Sequence, residues 1–509
     1  MAEPKPESMP APPPGGGRSS AAFKGVFWSA INILVPTAAN LLVFVVTSRL
    51  LTPNDFGQVA LAASLAAFAS ALVPAGFGEA LVQRKDMRPE HMDGVFWLCL
   101  LSGLVTYAAL AFASPALARF FGAPSLALLL PVLGLRVISD VAAVVPQAVV
   151  LRALSFHLVA LRTMVATLVA SIVSVALVLA GFGLWALVFA QLANSVVATI
   201  SLFWTAGWRP RWSFRGTALR ELTAYGAYAS GTRALQFLMN QADQAVVGFV
   251  LGTVQLGLYN FARRVFAILN DVTSGALSAV AHPLFSGIQD DLDRVRRGFL
   301  TATLLSSIVA FPLFVGLALV ADRAVPLLFG AQWVEAVWPI RILCGLGIIT
   351  CIGMLQAGLI NSLGRANWWF WYQLFSGVTN FAIVFAFASQ GTTVMLAVMV
   401  AKTYLFWPVP VGMTLRLLAM RPGTYATQFA APLAASALMA AAVLAGRAAL
   451  PELDALAGLA VDVALGALVY GAALALLARR RLRDLVQVLR GAAKRKRRPA
   501  EVPAPDGVA

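Results

Sequence analysis

The sequence predicts an all-α polytopic membrane protein of about fourteen transmembrane helices. Three observations lead there. Apolar runs longer than the roughly 18 residues that mark a spanning helix fill the chain from Lys24 to Ala478. Hydrophobic residues make up 60% of the chain and charged residues only 12%, with a mean hydropathy of +0.81, whereas soluble domains carry roughly 25% charged residues. The connecting loops alternate between basic and non-basic along the whole chain. A soluble helical protein is excluded because its helices need polar faces that these runs lack.

The spans fall near 25–50, 57–81, 94–114, 125–150, 156–181 and 183–206. They continue near 222–251, 255–283, 298–321, 334–360, 366–388 and 392–418, with 428–450 and 456–478 last. One set of loops holds Arg84, Lys85, Arg88, Arg152, Arg209, Arg211, Arg215, Arg220, Arg294, Arg296, Arg297, Arg365 and Arg421. The other holds Arg119, Arg323 and Arg447, with none at the turns near Asn54, Gly181, Thr253 and Gly391. Basic loops mark the cytoplasmic side, so both termini are expected there. One missed or invented helix would scramble every later loop, and the alternation therefore supports the count as well as the direction.

Residues 1–23, which include a Pro- and Gly-rich stretch at 10–17, lack the apolar core of a signal peptide and read as a disordered cytoplasmic extension. The tail at 479–509 carries ten of the 38 Lys and Arg residues behind the net charge of +16. A basic cluster beside a membrane pairs with anionic lipid headgroups, so nucleic acid is not the expected partner. Cys99, Cys344 and Cys351 lie inside spans as small apolar residues, and His91, His157 and His282 are too scattered for a metal site. Trp204, Trp208 and Trp212, and the run Trp368, Trp369, Phe370, Trp371 and Tyr372, read as interface anchors.

Shifting the chain by 200 residues aligns Asn40 with Asn240, Leu51 with Leu251 and Gly57 with Gly257, each pair at the junction of two spans in the same orientation. Two parallel six-helix lobes are expected, at 24–206 and 222–419, joined by a basic linker at 207–221 and followed by two helices at 420–478. Parallel repeats of this kind enclose a central site that opens alternately to either side.

The stretches SRLLTPNDFGQVALA at 48–62, GFGEALVQRKD at 76–86, NQADQAVVGFVLGTVQLGLYNFARR at 240–264 and HPLFSGIQDDLDRVRRGF at 282–299 resemble the Wzx-type polysaccharide-biosynthesis flippases. The likeness is to the branch serving colanic acid and similar exopolysaccharides, within the multidrug, oligosaccharidyl-lipid and polysaccharide exporter superfamily. It covers roughly residues 24–420. It implies two lobes around a V-shaped cavity in the bacterial inner membrane, and transport of an undecaprenyl-diphosphate-linked oligosaccharide to the periplasmic leaflet, with polysaccharide polymerase and export machinery as candidate partners.

A charge near a span's centre costs about 2.5 to 3.5 kcal/mol against lipid, so such residues should face protein or water. Arg233, Arg263, Arg264 and Lys402 are the preferred contacts for a diphosphate or sugar, with Arg341 a lesser one, because a guanidinium keeps its charge and grips phosphate oxygens in pairs. Of the adjacent Arg263 and Arg264, one should turn inward and the other snorkel. Asp243 has no basic residue within a turn, and Asp271 lies on nearly the face of Arg264; proton or sodium coupling would use one of them. Arg136 and Asp140, one turn apart, neutralise each other and are not assigned as ligands. No cofactor or metal is expected.

Enzyme readings are weak. Asp291, Leu292 and Asp293 mimic a glycosyltransferase Asp-x-Asp but sit in a short basic loop, and no GxxxxGK, GxSxG or HExxH is present. A membrane glycan polymerase or ligase would need a large external loop, and those here run only about 10 to 13 residues, within the range of plain connections. A multidrug exporter or a peptidoglycan-precursor flippase of the same superfamily would share the fold. Basic cavity residues favour the anionic glycolipid over a cationic drug.

Overall fold

In the computed structural model, the described residues are 35–84, 86–153, 156–212, 216–285, 291–449 and 453–479, and among them every regular element is a helix. The expected N-terminal extension and the basic tail beyond Arg479 lie outside the described residues. The first six spans correspond to α1 (Val35–Leu50), α2 (Pro53–Ala71) with short α3 (Phe77–Gln83), α4 (Pro89–Phe120), α5 (Leu126–Ala142) with α6 (Val144–Arg152), α7 (Phe156–Leu179) and α8 (Trp185–Ala206). There follow α9 (Gly216–Phe285), α10 (Leu292–Phe329), α11 (Val337–Ser362), α12 (Ala366–Phe387), α13 (Thr392–Phe406) with α14 (Pro408–Leu417), α15 (Pro422–Ala449) and α16 (Ala455–Leu477).

Eleven helices among the described residues are long and apolar enough to cross a membrane, against the fourteen expected. Three places account for the difference. Helix α1 is described only from Val35 and falls among the shorter apolar helices. The second span is divided, because α2 stops at Ala71 ahead of Pro74 and helix resumes at Phe77; proline lacks the N–H that would continue the ladder. The seventh and eighth spans count as one apolar stretch, Asp243–Thr273, that runs across Gly252.

Gly252 nevertheless separates two helices. Its φ of 80° and ψ of 179° are non-helical and open essentially to glycine alone. Asp243 and Arg263, 20 residues apart, touch at 2.6 Å, whereas straight helix would part them by about 30 Å. The chain therefore doubles back into a first arm, 216–251, and a second arm, 253–285.

Helix α2 starts on a capping box. The Asp55 N–H donates to the Thr52 hydroxyl at 3.3 Å, the Thr52 N–H donates to the Asp55 carboxylate at 2.9 Å, and Pro53 fills the first turn, where no N–H is needed. This sharp start fixes the α1–α2 turn against the Gly252 turn. A Cβ on Gly57 would stand 1.7 Å from the Thr253 carbonyl oxygen, and one on Gly257 would stand 1.8 Å from that of Pro53. The contact is reciprocal under the offset read from the sequence: Gly57 meets Thr253, the counterpart of Pro53, and Gly257, the counterpart of Gly57, meets Pro53. From there α2 and α3 run antiparallel to the first arm of α9, with Leu61 at Gly248, Gly76 at Ser230 and Arg84 at Glu221.

The end bearing Asn54 and Gly252 is sealed by an apolar knot. Trp333 stacks on Phe261 with centroids 4.0 Å apart, and Phe44, Phe56 and Phe329 close around the pair. Trp333 is fully buried, so its indole N–H must find an acceptor; it donates to the Ser48 carbonyl at 2.8 Å, as does the Gln332 amide. That carbonyl belongs to the last turn of α1, which leaves it without a helical partner. Helices α15 and α16 are held to α10 through Asp462, which accepts from Arg447 at 2.7 Å and Arg323 at 2.9 Å.

Candidate functional site

Two cavities lie along α2. The first, about 310 Å³, is walled by the small residues Ala63, Ala66, Ala67, Ser70 and Ala71 of α2, by Leu133, Arg136, Val137 and Asp140 of α5, and by Gln191 and Arg233. Alanine and serine on this face of α2 leave the room that larger side chains would fill. The Arg136 Nε donates to Asp140 at 3.1 Å and its Nη1 to the Gln191 amide oxygen at 3.4 Å, while the other Asp140 oxygen accepts from the Ser195 hydroxyl at 2.5 Å. Arg162 of α7 faces the same carboxylate electrostatically. Its Nε is buried with no hydrogen-bond partner among the described residues. Arg233, from the first arm of α9, donates through Nε to Glu79 of α3 at 2.7 Å. Three guanidiniums thus face two carboxylates, a surplus of one positive charge.

The second cavity, about 370 Å³, lies nearer the Asn54 end and shares Gln191 with the first. Its polar lining is mostly uncharged: Asn40 of α1, Thr167, Ser171 and Ser174 of α7, Asn194 of α8 and Asn260 of α9, with Arg264 the one ionisable group in the lining among the described residues. Amides and hydroxyls both donate and accept, which suits a ligand rich in hydroxyls. The Ser174 hydroxyl is buried with no hydrogen-bond partner among the described residues.

The residues singled out in the sequence divide between these cavities and places outside them. Arg233 lines the first and Arg264 the second. Arg263 instead pairs with Asp243 at 2.6 Å, and the Tyr259 hydroxyl donates to the same carboxylate, so these three staple the two arms of α9. Adjacent arginines point about 100° apart on a helix, which is why one is stapled and the other faces the cavity. Asp271 is exposed and within electrostatic reach of Arg264. Lys402 is buried against α12, donating to the Ser376 hydroxyl at 3.2 Å and carbonyl at 3.3 Å, outside the lining of both cavities. Arg341 also lies outside both, paired with Asp322 at 3.3 Å and bonded to the Ala318 carbonyl. The side chain of Asn240 lies outside the described residues.

Asp243→Asn should leave the Arg263 charge partly buried and unpaired. A loss of stability on the order of 3 kcal/mol is expected, read as a lower melting temperature of the purified protein in detergent. An unchanged melting temperature would remove the stapling role.

Sequence reasoning passed over Arg162 and the amide and hydroxyl lining. Arg162 sits near the start of its span, where a snorkelling charge is unremarkable. The polar lining did leave a signal: Thr167, Ser171 and Ser174 recur at helical spacing on α7, as do Gln191 and Asn194 on α8. Arg136, set aside as self-neutralised, keeps its Asp140 partner, yet both are nearly half exposed, at 46% and 43%, on the cavity wall.

At the basic end, Glu221 of the first arm accepts from Arg84 and, at 3.4 Å, from the buried His91. The Arg84 hydrogen bond, then that of His91, holds the Glu221 carboxyl below the usual carboxylate range, so this bridge is ionic at neutral pH. The Trp212 loop is fastened to α4 by the Arg211 N–H, which donates to Asp93 at 3.1 Å, and by Trp97, which stacks on Trp212 with centroids 4.1 Å apart.

Residues 46–338, more than half of the chain, match the family described as "Polysaccharide biosynthesis protein". The chain is 28% identical over 375 residues to the succinoglycan biosynthesis transport protein ExoT of Rhizobium meliloti, covering 73% of this chain and 75% of that protein. It is 26% identical over 367 residues to the lipopolysaccharide biosynthesis protein WzxC of Escherichia coli, covering 69% and 72%. In fold it is similar to the lipid II flippase MurJ in an inward closed conformation, with a TM-score of 0.73 at 14% identity, over 90% of this chain and 100% of that one. A multidrug resistance MATE family transporter in an inward-facing conformation superposes with a TM-score of 0.52 at 18% identity, over 77% and 98%.

Proposed function

Because the chain belongs to the polysaccharide biosynthesis protein family, we propose that it is a flippase moving a polyprenyl-diphosphate-linked oligosaccharide across the bacterial inner membrane. The observation that carries this is the pair of adjoining cavities that share Gln191, one lined by guanidiniums and the other by amides and hydroxyls. The load has the same two chemistries. Arg136 and Arg233 take the diphosphate, with Arg162 behind Asp140 adding to the field. Asn40, Ser171, Ser174, Asn194 and Asn260 hydrogen-bond the sugars, and Arg264 shares their cavity. The polyprenyl tail remains in lipid.

The lobes that rock about this site are 24–206 and 222–419, with both termini cytoplasmic. In this reading Lys402, Arg341 and the Asp243–Arg263 pair hold the second lobe together rather than touch cargo. Coupling to protons or sodium falls to Asp271, since Asp243 is already occupied by Arg263 and Tyr259.

Deletion of the gene tests the function directly. The complete lipid-linked oligosaccharide should accumulate on the cytoplasmic leaflet of sidedness-defined membrane vesicles and clear when the gene is restored. Unpolymerised units on the periplasmic face would assign the protein to polymerisation instead and overturn the reading.

A further inference from the structure

The contact of α2 and α3 with the first arm of α9 is closed by different chemistry at its two ends. At the Asn54 end the backbones touch at Gly57 and Gly257, and the aromatic knot seals the rest. At the basic end polar bridges stand beside an apolar contact, Phe77 of α3 against Gly226 with Leu222 in the same buried cluster. Arg233 bridges to Glu79, Glu221 takes Arg84, and the Gly76 N–H donates to the Ser230 hydroxyl at 3.1 Å.

Arg233 alone of these residues also lines the guanidinium cavity. Its bond to Glu79 uses Nε, and the two terminal nitrogens have no hydrogen-bond partner among the described residues. The bridge is half exposed, 50% at Arg233 and 44% at Glu79, and a released Glu79 would be hydrated at once. Glu79 sits on α3, a helix of only 7 residues joined to α2 through the bend at Leu72–Gly76. Phe77, Ala80 and Leu81 anchor α3 to α4, α5 and α6 in one buried cluster, so α3 parts from α9 together with those helices.

Resting on the anion reading of the cavity, we propose that the Arg233–Glu79 bridge is a latch released by cargo: a diphosphate in the cavity competes with Glu79 for the Arg233 guanidinium and so frees α3 from α9 at the basic end. The exchange favours the ligand, because a diphosphate brings more negative charge than one carboxylate and presents oxygens that match the guanidinium fork. Once the cargo leaves, Glu79 recovers its partner and the end closes. Linkage then requires reciprocity: the factor by which a bound anion weakens the bridge is the factor by which the closed bridge weakens anion binding.

The test uses the full chain in lipid nanodiscs with spin labels on cysteines introduced at Gln83 and Thr223, both exposed and on opposite sides of the contact. The native Cys99, Cys344 and Cys351 are buried and do not compete for label. Farnesyl diphosphate is the probe, and inorganic pyrophosphate shows whether the headgroup suffices. In the wild type the probe should lengthen the label distance. Glu79→Gln should start at the longer distance and bind the probe several-fold more tightly, whereas Arg233→Gln should also start open but bind about tenfold more weakly, the loss of one charge-assisted contact. The exchanged pair Glu79→Arg with Arg233→Glu should restore the short distance and no longer respond to probe. Probe binding without a change of distance, or Glu79→Gln that stays closed at wild-type affinity, overturns the latch alone. A wild type that binds neither probe overturns the anion reading and the latch with it.

Discussion

Replacing Arg136 or Arg233 with alanine is expected to slow transport of a lipid-linked oligosaccharide by at least tenfold while leaving the protein inserted at normal level. Each substitution removes a charged contact to the cargo, worth about 1.5 to 3 kcal/mol, and every 1.4 kcal/mol is about a factor of ten. Insertion should not suffer, because removing a charge from a span lowers the cost of placing it in lipid. The partners left behind are also provided for. Asp140 keeps the Ser195 hydroxyl and the field of Arg162, and Glu79 is half exposed. Arg136→Lys retains charge without the planar fork and should fall between wild type and alanine. The measurement is the flipping rate of a labelled glycolipid in proteoliposomes, normalised to protein content. Wild-type rates for both alanine variants would remove the guanidinium cavity from the mechanism.

The second large effect is structural. Gly57→Val and Gly257→Val should each prevent the protein from accumulating in folded form. The new Cβ would lie 1.7 Å from one carbonyl oxygen or 1.8 Å from another, and backbone on both sides leaves no side chain to yield. Overpacking that side chains can absorb typically costs about 1 to 3 kcal/mol; here the helices themselves must part, at the turn where the aromatic knot begins. Gly94→Ala serves as the control, since nothing stands within 4 Å of its Cβ position. Size-exclusion profiles of detergent extracts should show aggregate or loss for the valine variants and a normal peak for the control. Normal peaks and melting temperatures for Gly57→Val and Gly257→Val would show that the two turns do not meet.

Much of this was legible before any coordinates. Apolar runs and loop charge mark where helix is found, because hydrocarbon demands long unbroken helices whatever they pack against. Gly57 and Gly257, which the 200-residue offset pairs in the sequence, meet backbone to backbone in the structure. The sites were less legible for a definite reason: an intramembrane charge declares that it avoids lipid, not whether protein or cargo satisfies it. Lys402 is answered by Ser376, 26 residues away, and Asp243 by Arg263, beyond a reversal of the chain. Asp462 escaped notice because α16 had been set at the edge, yet it is only 4% exposed and ties α16 to two arginines. The cavity lining was missed by looking for ions where neutral amides and hydroxyls stand.

The reciprocal glycine contact also bears on ancestry. Where residue A meets B′ and B meets A′, the surface is self-complementary, as in a twofold homodimer. A half-length chain carrying this turn would meet its own copy there, in the same orientation in the membrane. On that view the stretch at 207–221 is a later joint between two formerly separate subunits. A fusion of that kind would free each copy to diverge, which fits Arg136 and Arg233 standing on opposite halves with no arginine at the matching positions 336 and 33.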